Sequence, residues 1–283
     1  MLAQTAPLPA QTESDTYATV PTVVSAGDAR GDFERDGYLA LPGAIPAERN
    51  AVLRAELDDY VQVWRTTKQR PNALDYPAMR ALALWPEMLD RVRSLFGTTF
   101  SMHHLHADRH DPGCVGVHWH QDYEQLPQTN RVYPMVHVFY YLSGLDGTIG
   151  DLLVVPRSHR AVIERNALSL FGTNALPGEK VFDHLAPGSA VLAHSALWHA
   201  RRAKPGGSGG RYFIDVSYCG HGTRWPLNRD WLDRLNLANE RREADPEHAW
   251  IFDTSCYFDP ALYRERMTRC NIGSLATLLP ETR

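Results

Sequence analysis

The spacing of apolar residues along the chain changes near residue 98. Before that point, large apolar side chains recur every three or four positions, which is typical of helices with one buried face. This spacing predicts one helix that begins at Pro46 and a second from about Pro86 to Gly97. The buried face of the first helix carries Leu53, Leu57, Tyr60, Val61 and Trp64. We interpret both helices as packing elements, because neither carries an obvious chemical group.

Beyond residue 98 the apolar runs are short and are separated by Gly, Pro, Asn and Asp, a pattern typical of strands and turns. The predicted strands are 38–41, ahead of the helices, and then 100–106, 115–120, 132–142, 151–155, 180–185, 189–194 and 211–218. No helical pattern alternates with them, which favours a β-sandwich or jelly roll. A further helix is expected over 229–241.

The composition separates a tail from a single domain. Residues 1–30 are rich in Ala, Thr, Pro, Ser and Gln, and such a segment buries too little apolar surface to become ordered. We therefore predict a mobile N-terminal tail over 1–30 and one domain over 31–283. Within that domain the jelly-roll core is expected at about 98–220 and a C-terminal extension at 221–283.

Charge and hydropathy argue against several classes of protein. The 283 residues include 29 basic and 33 acidic side chains, a net charge of −4, and no Lys/Arg run that would indicate nucleic-acid binding. No apolar stretch approaches the roughly 18 residues of a membrane span. The first basic residue is Arg30, which argues against a secretory or mitochondrial leader, and the four cysteines lack a C-x-x-C spacing. We expect a cytoplasmic protein with no nucleic-acid or membrane partner.

The histidines give the first indication of chemistry. Seven of the 13 lie close together, which favours at least one metal site: His103, His104, His106, His110, His118, His120 and His137. In this stretch His120 and Asp122 stand two residues apart, so on a strand their side chains point to the same face. An imidazole beside a carboxylate supplies two ligands of the facial triad that binds Fe(II), and one more histidine must come from elsewhere.

Two later histidines, His194 and His199, are candidates for the third ligand. Arg211 opens the next predicted strand. If strands 189–194 and 211–218 form a hairpin, His199 and Arg211 lie near opposite ends of one connection. The guanidinium would then bind a carboxylate of a dicarboxylate that chelates the metal. A surface ion pair is the alternative role for Arg211.

Four motifs in the same order resemble those of the phytanoyl-CoA dioxygenase family of Fe(II)- and 2-oxoglutarate-dependent oxygenases. They are spread over residues 33–218 and comprise Phe33–Gly43, Trp119–Asp122, Gly150–Arg160, and Pro187–His199 followed by Arg211. The resemblance implies a mainly β fold, a double-stranded β-helix or jelly roll with flanking N- and C-terminal α-helices. It also implies that His120, Asp122 and His199 bind iron and that Arg211 binds the distal carboxylate of 2-oxoglutarate.

The implied activity is that of a dioxygenase. Such an enzyme uses Fe(II), 2-oxoglutarate and O2 to oxidise, and by default hydroxylate, an unactivated C–H bond of a small-molecule substrate, with succinate and CO2 as co-products. Related enzymes also desaturate, cyclise or epimerise. The presence of Asp122 argues against halogenation, since halogenating relatives carry a small residue in its place.

Three positions depart from the family pattern. Arg201 stands where a small hydroxyl residue is frequent, and Pro156–His159 replaces a Pro-Gly-Ser-His turn. Phe139 is the residue that corresponds, loosely, to the aromatic side chain lining the 2-oxoglutarate pocket. Candidates for substrate contact are Gln121 and Tyr123, which flank the expected ligands, and His104, which we expect to face the interior.

Two alternative functions are compatible with the sequence alone. A cupin-type metalloenzyme would use His118, His120 and Glu124 without 2-oxoglutarate, although Pro156–His159 supplies neither the glycine nor the spacing of the second cupin motif. A non-catalytic binding module on the same jelly roll is the other alternative. Neither the substrate nor the oligomeric state is indicated.

Overall fold

The computed structural model describes residues 28–125, 131–163, 167–203, 209–240 and 246–262. Within these ranges the α-helices are α1 (Ala29–Asp36), α2 (Ala47–Thr67), α3 (Pro77–Ala83), α4 (Pro86–Phe96) and α5 (Arg229–Glu240). The strands are β1 (Tyr38–Leu41), β2 (Phe100–His110), β3 (Val117–His120), β4 (Met135–Tyr141), β5 (Leu145–Asp146), β6 (Leu152–Val155), β7 (Lys180–Phe182), β8 (His184–Leu185), β9 (Ser189–His194), β10 (Trp198–Arg201), β11 (Arg211–Gly220), β12 (Trp225–Pro226) and β13 (Tyr257–Phe258).

Two antiparallel sheets form the body of the jelly roll. The major sheet has the order β1-β9-β4-β11-β2 and the minor sheet has the order β3-β10-β6-β7. Apolar residues of both sheets meet in one buried cluster, in which Phe139 and Val191 of the major sheet join Leu152 and Val154 of the minor sheet. The prediction of a mainly β jelly roll with flanking helices is confirmed.

Helices cover the outer face of the major sheet. The apolar face of α2 places Leu53, Leu57 and Tyr60 in the same buried cluster as Val138 and Tyr140 of β4. Because β4 is covered on both faces, every one of its residues is buried, and its sequence shows no alternation of apolar and polar residues. Among the described residues, no helix combines the length and apolarity needed to cross a membrane.

The described part of the chain begins with a capped helix. Helix α1 begins at Ala29, and the Asp28 side chain accepts a hydrogen bond from the backbone N–H of Gly31 at 2.9 Å, which satisfies a donor of the first turn. The helix ends at Gly37, whose φ of 84° is accessible to glycine at little cost. The rest of the predicted tail, residues 1–27, lies outside the described residues.

The expected hairpin between strands 189–194 and 211–218 is wrong. Both strands pair with β4, one on each side of it, and so they are separated by a strand. The segment between them contains β10, which the sequence did not predict and which pairs with β3 and β6 in the minor sheet. Strand β2 also extends to His110 rather than to residue 106, because it pairs with β11 as far as Arg211.

Candidate metal centre

His120 and His199 face each other across neighbouring strands of the minor sheet. His120 ends β3 and is the Cα partner of His199 in β10, and their ring centroids are 4.2 Å apart. The Nδ1 atom of each ring is within hydrogen-bond distance of the backbone carbonyl two residues earlier. For His120 this is the carbonyl of His118, at 2.7 Å, and for His199 it is the carbonyl of Leu197, at 3.0 Å. A carbonyl only accepts hydrogen bonds, so Nδ1 carries the proton and the neutral ring presents its Nε2 lone pair.

Asp122 lies between the two Nε2 atoms. Its backbone N–H donates to the carbonyl of Ser195 at 2.6 Å, which holds the loop after β3 against the turn between β9 and β10. One carboxylate oxygen is 3.2 Å from Nε2 of His199, and the other is 3.7 Å from Nε2 of His120. Burial alone would raise the pKa of this carboxyl group, but the interactions with His120 and His199 hold it well below its usual value.

These three residues, the primary group, offer two imidazole nitrogens and one carboxylate oxygen that all lie within 4.8 Å of one another. A carboxylate that stays ionised at neutral pH and two imidazoles oriented by backbone carbonyls match the donors that Fe(II) takes in facial-triad sites. The residues present therefore fit a non-haem iron ion, and three positions of an octahedral ion would be left for other ligands.

His194, the other candidate for the third ligand, lies in a different environment. Its Nδ1 accepts a hydrogen bond from the backbone N–H of Ala196 at 3.0 Å, and its ring stacks on Tyr123 and packs against Phe33 of α1. Burial lowers the pKa of His194 to about 3, so the ring is neutral. The structure thus brings His199, and not His194, to His120 and Asp122.

The residues required by a cupin-type site are not brought together. His118 is exposed, and Glu124 has its carboxylate 3.8 Å from Nε2 of His103 on the opposite sheet. Among the described residues, neither His118 nor Glu124 belongs to a group that could hold a metal ion. The geometry gives the cupin alternative no support.

The primary group opens into a cavity of about 490 Å³ between the two sheets, and Arg211 reaches the same cavity from the start of β11. The Arg211 side chain is 3% exposed, its guanidinium stacks on Phe213 and Tyr141, and its Nε atom has no hydrogen-bond partner among the described residues. Burial lowers the pKa of Arg211 to about 10, so the group is still charged at neutral pH. A buried cation with an unpaired donor fits an anionic occupant such as a carboxylate.

Two further arginines follow His199, and only one of them faces this cavity. Arg201 in β10 lines it, and its guanidinium donates to the carbonyl of Val115 at 2.9 Å. Arg202 instead forms ion pairs with Asp151 and Glu179 at 3.4–3.5 Å. The residue that departs from the family pattern, Arg201, therefore adds a second positive charge to the cavity that contains Arg211.

Phe139 lies beside the primary group, in the place expected for an aromatic wall. Its ring centroid is 5.5 Å from that of His199 and 5.6 Å from that of Phe213, which stacks on Arg211. Phe139 therefore lies between the metal ligands and Arg211 on the lining of the cavity.

The three candidate substrate residues have different locations. His104 lines the cavity, but Gln121 and Tyr123 are completely buried and do not line it. The Gln121 side chain accepts from the backbone N–H of Tyr123 at 2.7 Å. The Tyr123 hydroxyl lies 2.8 Å from two acceptors, the Gln125 side-chain oxygen and the carbonyl of Tyr133, which share its one proton. These two side chains hold the loop after β3, and neither of them lines the cavity.

The sequence analysis missed polar residues on the inner face of the major sheet. Asp215 and Ser217 follow Arg211 in β11 at alternate positions, and His137 of β4 is the Cα partner of Ser217. The sequence does contain a signal for these residues, because residues two apart on a strand share a face and Arg211, Asp215 and Ser217 are therefore on the same face of β11. That signal becomes informative only when the partner strands are known.

Comparisons with known proteins were made for the sequence and for the fold. The family model for phytanoyl-CoA dioxygenase matches residues 33–205, a stretch that contains all three members of the primary group. Comparison with curated proteins gives no significant match.

Several solved structures are similar to the chain. HygX from Streptomyces hygroscopicus, solved with nickel and 2-oxoglutarate bound, is 21% identical, with 73% of this chain and 91% of that chain covered and a TM-score of 0.58. The non-heme alpha-ketoglutarate-dependent carbocyclase SnoK from nogalamycin biosynthesis is 18% identical over 73% of this chain and 89% of its own, with a TM-score of 0.60. The epimerase SnoN from the same biosynthesis is 18% identical over 68% and 79%, with a TM-score of 0.54. At these identities the similarity shows a shared fold.

Proposed function

This chain belongs to the phytanoyl-CoA dioxygenase family of non-haem iron, 2-oxoglutarate-dependent oxygenases, and from that premise we propose that it hydroxylates an unactivated C–H bond of a small-molecule substrate. The observation that carries the proposal is the convergence of His120, Asp122 and His199 within 4.8 Å on the wall of a cavity that also contains Arg211. Each of these residues has a separate role in the proposed mechanism.

His120, Asp122 and His199 would hold Fe(II) through two Nε2 atoms and one carboxylate oxygen. The carbonyls that accept from Nδ1 fix both rings, so the ligands need little rearrangement to bind the ion. The low pKa of Asp122 keeps its charge available at neutral pH. The bound ion, with 2-oxoglutarate and O2, supplies an oxidation in which one oxygen atom enters the C–H bond and the other enters succinate, with release of CO2.

Arg211 would bind the distal carboxylate of 2-oxoglutarate, which supplies the partner that its buried guanidinium lacks. Phe139 would form the wall between this carboxylate and His199, and Arg201 would add attraction for the dianion. His104 precedes His110, the Cα partner of Arg211, along β2 and so lines a part of the cavity away from Arg211. We propose that this part receives the substrate.

Hydroxylation is the proposed outcome because it requires nothing beyond the metal, 2-oxoglutarate, O2 and a C–H bond. The carbocyclase SnoK and the epimerase SnoN demonstrate that other outcomes occur on this fold. Product analysis by mass spectrometry separates them, since hydroxylation adds one oxygen atom whereas epimerisation leaves the mass unchanged.

The metal assignment is tested with four single variants of the full-length protein. Asp122→Ala and His199→Ala are each expected to lose one equivalent of Fe(II) and to form no succinate from 2-oxoglutarate, because each loses a metal bond. His118→Ala, on the same strand as His120, and Glu124→Ala are the matched controls and retain iron, with activity within about 100-fold of the unmodified protein.

Circular dichroism of each variant separates loss of a ligand from loss of the fold. Iron-loaded protein that forms no succinate above a metal-free control, with ascorbate present and with or without candidate substrates, would refute the oxygenase proposal. Loss of iron in His118→Ala and Glu124→Ala, together with its retention in Asp122→Ala, would assign a cupin-type site instead.

A further inference from the structure

A second group of two histidines and one carboxylate lies on the inner face of the major sheet. His104 in β2, His137 in β4 and Asp215 in β11, the secondary group, each offer a ligand atom within 4.8 Å of the other two. Ser217 is the Cα partner of both histidines, and Asp215 lies two residues before it on the same face of β11. The primary group is carried by the minor sheet and its adjoining loop, so the two groups belong to opposite walls of one cavity.

The secondary group has nearly the same internal geometry as the primary group. In both, a carboxylate lies between two imidazole nitrogens. Asp215 Oδ2 is 2.8 Å from Nδ1 of His137 and 3.7 Å from Nε2 of His104, compared with 3.2 and 3.7 Å around Asp122. Adjacent ligand atoms that are each about 2.1 Å from one metal ion lie about 3 Å apart. Small side-chain movements therefore suffice to bring these three donors to one ion.

The hydrogen bonds around His104 determine which of its nitrogens carries the lone pair. Nε2 of His103 lies 3.0 Å from the carbonyl of Pro226 and must donate to it. In the neutral ring of His103 the other nitrogen, Nδ1, can only accept. The neighbouring Nδ1 of His104, at 2.8 Å from it and 2.8 Å from Ser217 Oγ, must then hold the proton. A neutral His104 thus presents a bare Nε2 towards Asp215, as a metal ligand does.

Among the described residues, only one ring nitrogen of His137 has a hydrogen-bond partner. Its side chain is 3% exposed, and its only polar contact among the described residues is the one between Nδ1 and the carboxylate of Asp215. Its Nε2 atom has no partner among those residues. Because Nδ1 contacts Asp215, this is the nitrogen that His137 would offer to an ion shared with Asp215 and His104.

The cavity around the secondary group contains carboxylates as well as arginines. Asp215 itself is buried, and the carboxylate of Glu124 lines the same cavity. His106, the Cα partner of Asp215, contacts Arg70 at 3.2 Å. Arg70, Arg201 and Arg211 line the cavity too, so the attraction for a cation at the secondary group comes from the carboxylate of Asp215 and not from the cavity as a whole.

We propose that His104, His137 and Asp215 form a second binding site, for a divalent transition metal ion, on the cavity wall opposite the primary group. Two imidazoles and one carboxylate suit Fe²⁺, Co²⁺, Ni²⁺ and Zn²⁺ and not Mg²⁺ or Ca²⁺, which prefer oxygen ligands. Binding displaces the proton shared by His137 and Asp215. The site stands on its own geometry and does not depend on the proposed oxygenase activity.

The test is the number of Co²⁺ ions bound per chain, measured by equilibrium dialysis of metal-free, full-length protein followed by metal analysis. The unmodified protein is expected to bind two. Asp215→Asn and His104→Gln are each expected to bind one, and so is His199→Ala, through loss of the other ion. The variant with both Asp215→Asn and His199→Ala is expected to bind none. His106→Gln, which removes a cavity histidine outside both groups, is the matched control and binds two.

One ion per chain in the unmodified protein, lost in His199→Ala and kept in Asp215→Asn, overturns the second site and leaves the iron proposal intact. Two ions that persist in both Asp215→Asn and His104→Gln also overturn it, because the second ion then lies elsewhere. His104 lies at the cavity and is partly exposed, so His104→Gln remains informative if Asp215→Asn fails to fold by circular dichroism. If the unmodified protein binds two ions but forms no succinate from 2-oxoglutarate, the proposed function is contradicted and the second site is not.

Discussion

Burial disfavours the charged forms of both Asp122 and Arg211, and the neighbours outweigh burial only at Asp122. His120 and His199 hold the pKa of Asp122 well below its usual value. The pKa of Arg211 falls to about 10, since the interactions with Tyr141 and with the carboxylate of Asp108 offset only part of the effect of burial. Asp122 is therefore ready for a cation, whereas Arg211 needs an anion to complete its surroundings.

The expected effect of Arg211→Ala is a weaker interaction with 2-oxoglutarate and unchanged binding of iron. Removing one partner of a buried charge pair costs about 2–5 kcal/mol, which corresponds to at least about a 30-fold rise in KM for 2-oxoglutarate. Steady-state succinate formation at varied 2-oxoglutarate concentration gives the KM, and metal analysis gives the iron content.

Arg202→Ala is the control for this measurement, because its guanidinium is paired with Asp151 and Glu179 outside the cavity. Its KM should stay within a few-fold of the unmodified value. An unchanged KM in Arg211→Ala would transfer the role to Arg201, which lines the same cavity.

At the scale of elements, α3 is stabilised by a residue of another helix. The side chain of Glu56 in α2 accepts hydrogen bonds from the backbone N–H groups of Ala78 and Met79, at 2.9–3.0 Å, in the first turn of α3. Tyr76, which precedes α3, provides no side-chain cap. Glu56 therefore satisfies orphan donors that an N-cap residue would otherwise satisfy, and it places a negative charge at the positive end of the helix.

We predict that Glu56→Ala lowers the free energy of unfolding by about 1–2 kcal/mol, as measured by urea denaturation. Glu48→Ala, in the first turn of α2, is the control and should cost only about 0.3 kcal/mol, since it loses a charge near a helix end. Equal effects of the two substitutions would mean that the hydrogen bonds of Glu56 contribute nothing beyond its charge.

For the whole molecule, buried neutral histidines link stability to pH. Burial lowers the pKa of His103 and of His106 to about 4, and that of His194 to about 3. In the unfolded chain these groups titrate near pH 6.5. Above that pH the histidines are neutral in both the folded and the unfolded chain, so they add no pH dependence to the stability. Between about pH 6.5 and 4 the unfolded chain takes up protons that the folded chain does not, so stability falls as pH falls.

Each such histidine adds a slope of up to about 1.4 kcal/mol per pH unit in this window. Urea denaturation at about pH 7.5, 6 and 5 is expected to follow this decline. His194→Asn keeps an acceptor for Ala196 and removes the titrating group, so its slope should be smaller. His184→Gln, at an exposed position, is the control and should leave the slope unchanged. An identical slope in His194→Asn would contradict the assignment.

Local patterns predicted the elements well because their cause is local. The apolar residues of α2 recur at helical spacing, and Leu53, Leu57, Tyr60 and Val61 are buried as that spacing requires. Strand β1 has the predicted bounds, and helix α4 ends at Gly97, as expected for a glycine that adopts positive φ. The proximity of His120 and Asp122 also followed from their short separation in the sequence, although β3 ends at His120 and Asp122 lies in the loop after it.

Only the tertiary structure decided which side chains of different elements lie next to one another. His194 and His199 are five residues apart and equally plausible as ligands in the sequence, but the chain crosses from the major to the minor sheet between them, so His199 alone pairs with His120. The same holds for Asp215, which meets His137 because β11 and β4 are neighbours. Periodicity along a chain reports the face on which a side chain lies, whereas the order of strands in a sheet follows from contacts between distant segments. The amino-acid sequence by itself therefore determined the element types and the chemistry of the ligands, and the strand order determined which ligands meet.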